Sequence, residues 1–259
     1  MYVRASVSPT EIADELHRAR LERRQVTTFS SRLPDFDAAL AYRVQEVGVE
    51  RRLEEGERVI GGKLGFTSRA MQQAMGVDQP NYGWLTDAMF LRDGAVELSR
   101  FIHPKVEPEI AFRLAADLDP PVTVEEVLAA TATVLPCLEV VDSRYVDFKF
   151  AAPDNIADNS SAGAIALGNP GEIRLPARLD LMGVVITENG SLRHTAAGAA
   201  ALEHPAAAVA WMANHCQGRR LRAGDVVISG GLTPPIDLHP GTIVTADFDR
   251  IGSVTIHAA

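Results

Sequence analysis

The sequence predicts an α+β protein in which a helical lead-in precedes a larger region of mixed strands. Three observations carry that prediction. Residues 1–58 hold two stretches with apolar residues at helical spacing. From Val59 onward, short apolar runs alternate with Gly, Pro and Asp turns. The chain has 259 residues, 46% of them apolar, which suffices for a sizeable core. The expected organisation is an N-terminal helical segment over 1–58 and a catalytic, β-rich domain over 59–259.

In the lead-in, Ser8-Pro9 is a helix start signal, and Ile12, Leu16 and Leu21 place one helix over Ser8 to Arg24. A second helix is expected from Asp35 to Glu55, with Phe36, Leu40, Val44 and Val47 on one side and Gly48 in its interior. Beyond Val59, VIGGKLGF, KVEPEIAFRL, VLPCLEVVD, MGVVITENG, DVVISGGL and TIVTADF read as strands. Helices are expected at Val124–Thr133 and at His204–Cys216, the second opened by Pro205. No internal repeat or low-complexity linker interrupts this order.

Composition narrows the function classes. The formal net charge is −9 and no long Lys/Arg run occurs, so a nucleic-acid partner is not expected. The apolar runs are broken within about a dozen residues, short of the roughly 20 that a membrane-spanning helix needs. The N-terminus lacks a basic-then-apolar leader pattern, so the expected location is the cytoplasm. Cys137 and Cys216 fall in no metal or redox spacing and read as two reduced thiols.

The most informative stretch is KVEPEIAF. Residues two apart on a strand share a face, so Glu107 and Glu109 point the same way, about 7 Å apart. Two such carboxylates repel unless something positive lies between them, and a hard divalent cation such as Mg²⁺ takes oxygen ligands. The alternative is a solvated acidic face. Pro108 cannot donate a ladder hydrogen bond, which predicts an edge or strand-end position. Glu139 lies inside an otherwise apolar run, where a charge must be paired or metal-bound. It makes a natural third oxygen ligand, with Arg144 or another basic residue as the alternative partner. Three carboxylates leave about half of an octahedral shell open for water and substrate.

Other stretches supply candidates with two uses each. In GGKLGFTS, Lys63 sits between glycines, either facing an anionic substrate at a strand end or standing beside a turn. Leu64 and Thr67 in the same stretch are candidate substrate contacts. Asp78 follows in GVDQPNYGWL, a loop suited to closing over a site. Asp158, Asn159 and Ser160 either cap a turn or orient substrate. Thr233, after the glycines of SGGLTPP, either binds a carboxylate or caps the turn. No nucleophile-elbow signature occurs, and the histidines show no metal-ligand spacing.

Taken together, GGKLGFTS, GVDQPNYGWL, HPKVEPEIAF, CLEVVDSRY, IADNSSAG, EHPAAAVAWMAN and IGSVTIH, in this order, resemble the hydratase/decarboxylase branch of the fumarylacetoacetate hydrolase superfamily. The resemblance covers essentially the whole chain. It implies a mixed β-sheet roll with an N-terminal helical segment, and a Mg²⁺ or Mn²⁺ ion held by Glu107, Glu109 and Glu139. It also implies Lys63 and Asp78 as active-site residues, with Asp158 to Ser160 in the pocket. A small 2-oxo acid substrate, a homo-oligomer and a complex with a related hydratase follow from the same likeness. Two activities divide the branch: hydration of 2-hydroxypenta-2,4-dienoate, and decarboxylation of 2-oxo-3-hexenedioate to that dienol. DSRY, FKF and GGLT resemble the decarboxylases, which makes decarboxylation the expected activity and hydration the runner-up. Asn155 stands where valine or isoleucine is more usual. A non-catalytic partner subunit is the rival from another class, and it would need no Mg²⁺.

Overall fold

A computed structural model describes residues 8–170, 175 and 178–259. The chain opens with α1 (Pro9–Glu22) and α2 (Ala38–Glu54). The strand-rich part begins with β1 (Val59–Gly65), α3 (Arg69–Met75), β2 (Asn81–Thr86) and β3 (Ala95–Val96). Then come β4 (Lys105–Leu114), α4 (Val124–Ala130), β5 (Thr131–Val141), α5 (Ala152–Ala157) and β6 (Ala162–Leu167). The remainder is β7 (Gly183–Glu188), β8 (Ser191–Ala197), α6 (Pro205–His215), β9 (Val226–Ile228), β10 (Ile236–Asp237), β11 (Ile243–Phe248) and β12 (Gly252–Ala258). Among the described residues, no helix is long and apolar enough to cross a membrane.

The lead-in helices begin where their caps dictate. Ser8 Oγ accepts the Glu11 N–H at 3.2 Å, and the Glu11 carboxylate accepts the Ser8 N–H at 2.8 Å. Asp37 caps α2 by accepting the Leu40 N–H at 2.8 Å, so that helix starts three residues later than expected. Gly48 does not break it. The buried side of α2 carries Ala41, Val44, Gln45 and Val49, rotated from the expected face, and Leu40 and Val47 are only half-buried. Both helices join Val26, Phe29, Tyr145 and Ile156 in one apolar cluster. Polar ties fix the docking. Asp154 accepts the N–H groups of Phe29 and Ser30 at 2.8 and 3.0 Å, and Gln45 Nε2 donates to the carbonyls of Tyr82 and Ile156.

Two sheets form the rest. A seven-stranded sheet runs β2-β1-β9-β4-β5-β6, with β10 also paired to β4, and a five-stranded sheet runs β3-β12-β11-β7-β8. β4 and β5 form the longest ladder, antiparallel from Lys105↔Val141 to Leu114↔Thr131. The two-residue alternation of β4 divides its side chains. Val106, Ile110, Phe112 and Leu114 enter the core shared with Val244, Ala246, Val254 and Ile256 of the other sheet. The opposite face carries Glu107 and Glu109.

The expectation that Pro108 marks an edge or strand end does not hold: β4 lies inside the sheet, between β5 and β9. Proline is tolerated there because β9 pairs only with Ala111–Arg113 and β10 only with Lys105 and Val106. At the gap between them the Pro108 carbonyl accepts the Leu232 N–H at 3.0 Å, so the missing donor faces a loop rather than β5. DVVISGGL yields only three strand residues, because the chain turns at Gly230, whose φ is 91°. Conversely, NYGWL, expected as loop, belongs to the fully buried strand β2, which runs on to Thr86.

Candidate functional site

The β4–β5 register assembles an acidic cluster. Glu107 lies directly opposite Glu139, and Glu109 lies opposite Cys137 on the same face. Carboxylate oxygens of Glu107, Glu109 and Glu139 come within 4.8 Å of one another. Glu109 and Glu139 are fully buried, while Glu107 is half-buried and lines a cavity. Arg144, the alternative partner for Glu139, is instead paired with Asp158.

Lys63, on β1, is the cluster's counter-ion. It is 3% exposed, and its Nζ lies 3.1 Å from Glu139 Oε2. The directed hydrogen bonds of the ammonium go to the Ser160 carbonyl at 2.8 Å and Ser160 Oγ at 3.3 Å. Glu109 Oε2 accepts the Gly230 N–H at 2.7 Å. Glu109 Oε1 and Glu139 Oε1 are buried without a hydrogen-bond donor among the described residues, and Glu139 Oε2 has only the Lys63 ammonium nearby. Such acceptors are costly unless a positive ligand meets them. An all-oxygen, anionic set of this kind fits a hard divalent cation.

The electrostatics follow from one ammonium facing three carboxylates in a dry place. Burial, reinforced by Glu139 and opposed by Lys63, pushes the Glu107 carboxyl up to about 7. Burial and the Glu139 charge raise Glu109 well above the usual carboxylate range, and burial raises Glu139 against the pull of Lys63. Burial would lower Lys63, but Glu139, Glu109 and Glu107 outweigh it and hold the ammonium above its ordinary value. The three carboxylates thus favour the ammonium form of Lys63.

Ser160 reaches Lys63 through an unusual backbone. Asn159, Ser160 and Ser161 all have left-handed φ, at 51°, 53° and 56°. Three such residues in succession are strained, and their neighbours hold them. Asn159 clamps β2 by accepting the Trp84 N–H and donating to the Trp84 carbonyl, both at 2.8 Å. Asp158 is buried and accepts the Arg144 N–H at 3.0 Å as well as its guanidinium. Asp158 and Asn159 thus face inward and shape the turn, outside the cavity lining; of the three, only Ser160 meets the cavity. Close packing at Gly65 belongs to the same arrangement. A Cβ there would meet Asn81 Oδ1 at 2.2 Å and Ser160 Oγ at 2.6 Å.

The cavity measures about 850 Å³. Lys63, Leu64, Thr67, Glu107, Ser160 and Thr233 all line it. Asp78 does not: it lies exposed between α3 and β2, outside that lining. Much of the remaining wall is apolar, with Met71, Met75, Phe148, Phe150 and Leu232. Lys105, Asp147 and Lys149 bring charge to the lining, the last two exposed to solvent.

Two contributors, Asn81 and Gly231, escaped the sequence reading, and Asn155 was noted there without a role. Asn81 accepts the Ser160 hydroxyl at 2.9 Å and donates to Asn155 Oδ1 at 2.7 Å. Asn155 then donates to Ser161 Oγ at 2.9 Å, which gives the departure noted at this position a role. Gly231 packs against Glu107, where a Cβ would lie 2.8 Å from its carboxyl carbon. The adjacent glycines of SGGL were the only local signal for that approach.

The chain is similar to known proteins over most of its length. A family model described as fumarylacetoacetate (FAA) hydrolase C-terminal matches residues 58–257. The chain is 47% identical over 209 residues to a 2-hydroxypent-2,4-dienoate hydratase of Pseudomonas putida, covering 79% of this chain and 93% of the relative. It is 38% identical over 250 residues to a 4-oxalocrotonate decarboxylase of Pseudomonas sp. strain CF600, covering 94% of each. A solved structure of 4-oxalocrotonate decarboxylase from Pseudomonas putida G7, complexed with magnesium and adipate, is similar at a TM-score of 0.93 and 33% identity. That match covers 99% of this chain and 100% of the other.

Proposed function

Because the chain belongs to the hydratase/decarboxylase branch of the fumarylacetoacetate hydrolase family, we propose that it decarboxylates 2-oxo-3-hexenedioate to 2-hydroxypenta-2,4-dienoate and CO₂. Glu107, Glu109 and Glu139 would hold Mg²⁺, with Mn²⁺ suited to the same oxygen donors. When bound, such an ion supplies Lewis-acid polarisation to a 2-oxo acid.

The chain's own residues do the rest. Departure of the C6 carboxylate as CO₂ leaves an electron pair on C5, which conjugates through C3=C4 to the C2 oxygen, and that oxygen takes a proton from solvent to give the dienol. Lys63 supplies a fixed positive charge for an anionic oxygen beside the cluster, and Ser160 fixes where that charge points. Thr67, Ser161 and Thr233 offer uncharged donors to the distal carboxylate among the apolar walls. Uncharged contacts bind that group without over-stabilising its ground state. Lys105 and Lys149 attract a dianion toward the cavity.

One observation carries decarboxylation over hydration. Apart from Lys63 and the carboxylate cluster, the described lining has no titratable side chain other than Lys105, Asp147 and Lys149. Lys105 is held by Asp237 at 2.6 Å, and the other two stand in solvent. Hydration needs a positioned acid or base near C4 and C5. The hydratase remains the second reading, favoured by the 47% identity to a relative of that activity. The test supplies the Mg²⁺-loaded protein with 2-oxo-3-hexenedioate while CO₂ is followed, then with 2-hydroxypenta-2,4-dienoate while diene absorbance is followed. Fast CO₂ release supports the proposal; rapid diene loss with no CO₂ from the dicarboxylate replaces it with the hydratase.

A further inference from the structure

A second cavity, of about 330 Å³, lies apart from the carboxylate cluster, where α1 and α2 meet the segment Glu97–Phe101. That volume is at the lower end of the roughly 300–1,000 Å³ typical of small-molecule sites. Five arginines from separate parts of the chain line it: Arg20 and Arg23 at the end of α1, Arg52 on α2, and Arg100 and Arg144. Three carboxylates share the lining, and each is already engaged. Glu57 accepts from Arg52 Nη1 at 3.2 and 3.1 Å and from the Thr86 hydroxyl. Asp142 accepts the N–H groups of Ile102 and His103, and Glu97 accepts the Ser99 hydroxyl.

The arginines differ in how far they are engaged: Arg20 donates through Nη2 to Glu55 at 2.8 Å, and Arg23 through Nη1 to the Ser99 carbonyl. Arg144 is fully occupied by Asp158 and two carbonyls. Arg52, with a side chain only 12% exposed, bonds through Nη1 alone, so Nε and Nη2 have no acceptor among the described residues. Burial and the neighbouring Arg20 charge, offset in part by Glu57 and reinforced by Arg144, bring its guanidinium down to about 10. The exposed Arg100 guanidinium has no hydrogen-bond or ion-pair partner among the described residues, its backbone N–H bonding the Glu97 carbonyl at 3.0 Å. Crowded guanidinium groups with unused donors around a cavity are the arrangement that a planar or tetrahedral oxyanion satisfies.

The geometry points to this cavity as a binding site for a small, multiply charged oxyanion of the phosphate type, held by Arg52, Arg20 and Arg100. The Mg²⁺-loaded full chain is titrated with inorganic phosphate by calorimetry at constant ionic strength, with chloride as reference. One saturable site per chain is expected. Arg23 and Arg100 are both exposed, so Arg100→Gln and the Arg23→Gln/Arg100→Gln pair keep the fold intact. Losing one charged hydrogen-bonding partner should weaken phosphate by about tenfold or more. Glu109→Gln should leave it unchanged.

Three results overturn the proposal. The first is no saturable binding. The second is binding that survives the arginine changes but disappears in Glu109→Gln, which places phosphate at the carboxylate cluster. The third is sedimentation showing that the arginines are covered by a second copy of the chain and that phosphate does not compete.

Discussion

Replacing Lys63 by methionine separates its two jobs, because an unbranched apolar stem remains while the ammonium is lost, with its charge and its hydrogen bonds to Ser160. In the metal-free protein, Nζ sits 3.1 Å from Glu139 Oε2. Unit charges at that distance attract by about 5 kcal/mol at an effective dielectric of about 20. Breaking a buried pair costs about 3–5 kcal/mol, and the cluster's readiness to take up protons keeps the loss at the lower end. Lys63→Met should therefore melt lower at pH 8 without metal. Mg²⁺ should restore much of that stability, and it should bind at least as tightly as in wild type, since a like charge has gone from beside it. Catalysis should not recover. A donor aimed at developing negative charge is worth about 10²–10³ in kcat, so that loss is expected with Mg²⁺ saturating. Calorimetric Mg²⁺ titration, melting and steady-state kinetics on one preparation make the comparison. Unchanged kcat with Mg²⁺ bound would reduce Lys63 to a counter-ion. Lost Mg²⁺ binding would make it part of the cation site's framework, and either result refutes the reasoning.

Other expectations are narrower. Glu109→Gln keeps an acceptor for the Gly230 N–H, so it should fold normally. It should weaken Mg²⁺ by more than the roughly 10–100-fold that loss of an outer-shell partner costs, and abolish turnover. The Glu107 carboxyl at about 7 lies above its unfolded value. Its stabilising contribution is thus present at low pH and lost as pH rises through about 7. The metal-free protein should melt higher at about pH 6 than at about pH 8.5, while Mg²⁺ affinity should fall over the same acidification because binding releases protons. Gly231→Ala places a Cβ 2.8 Å from the Glu107 carboxyl carbon and 3.0 Å from both its oxygens. It should lower Mg²⁺ affinity by about tenfold and leave the melting temperature of the metal-free protein nearly unchanged.

Legibility differed sharply along the chain. β4 matched its expected bounds, Lys105 to Leu114, because its alternation is long and its two acidic residues share a face. Glu139 stood out as a carboxylate in an apolar run, and it is indeed fully buried. β2 was missed because its turn-forming Asn81 and Gly83 serve tertiary contacts: Asn81 bonds Ser160, and a Cβ on Gly83 would meet the Asn159 carbonyl at 2.5 Å. α3 has no buried residue; its short apolar repeat, Ala70 and Met71 then Ala74 and Met75, faces the cavity instead of a core. For Asp158 and Asn159 the local sequence leaves a turn cap and a pocket role both open, and the pocket role rests on the resemblance. Which way a short polar side chain points depends on partners distant in sequence, here Arg144 and Trp84. The same limit hid the Asn81–Asn155 bond, which spans 74 positions.

The pairing of β4 with β5 has a consequence for how the protein matures. Glu107 meets Glu139 only because Lys105 is opposite Val141 and every later pair stays in step as far as Arg113. A slip of one residue would turn Glu139 to the other face. A chain that zipped up wrongly would then offer two carboxylates instead of three and hold the cation poorly. Available Mg²⁺ would drain the population toward the correct alignment, since a ligand that binds one form draws the others to it. On the proposed reading, the ion that serves the chemistry also proofreads the sheet.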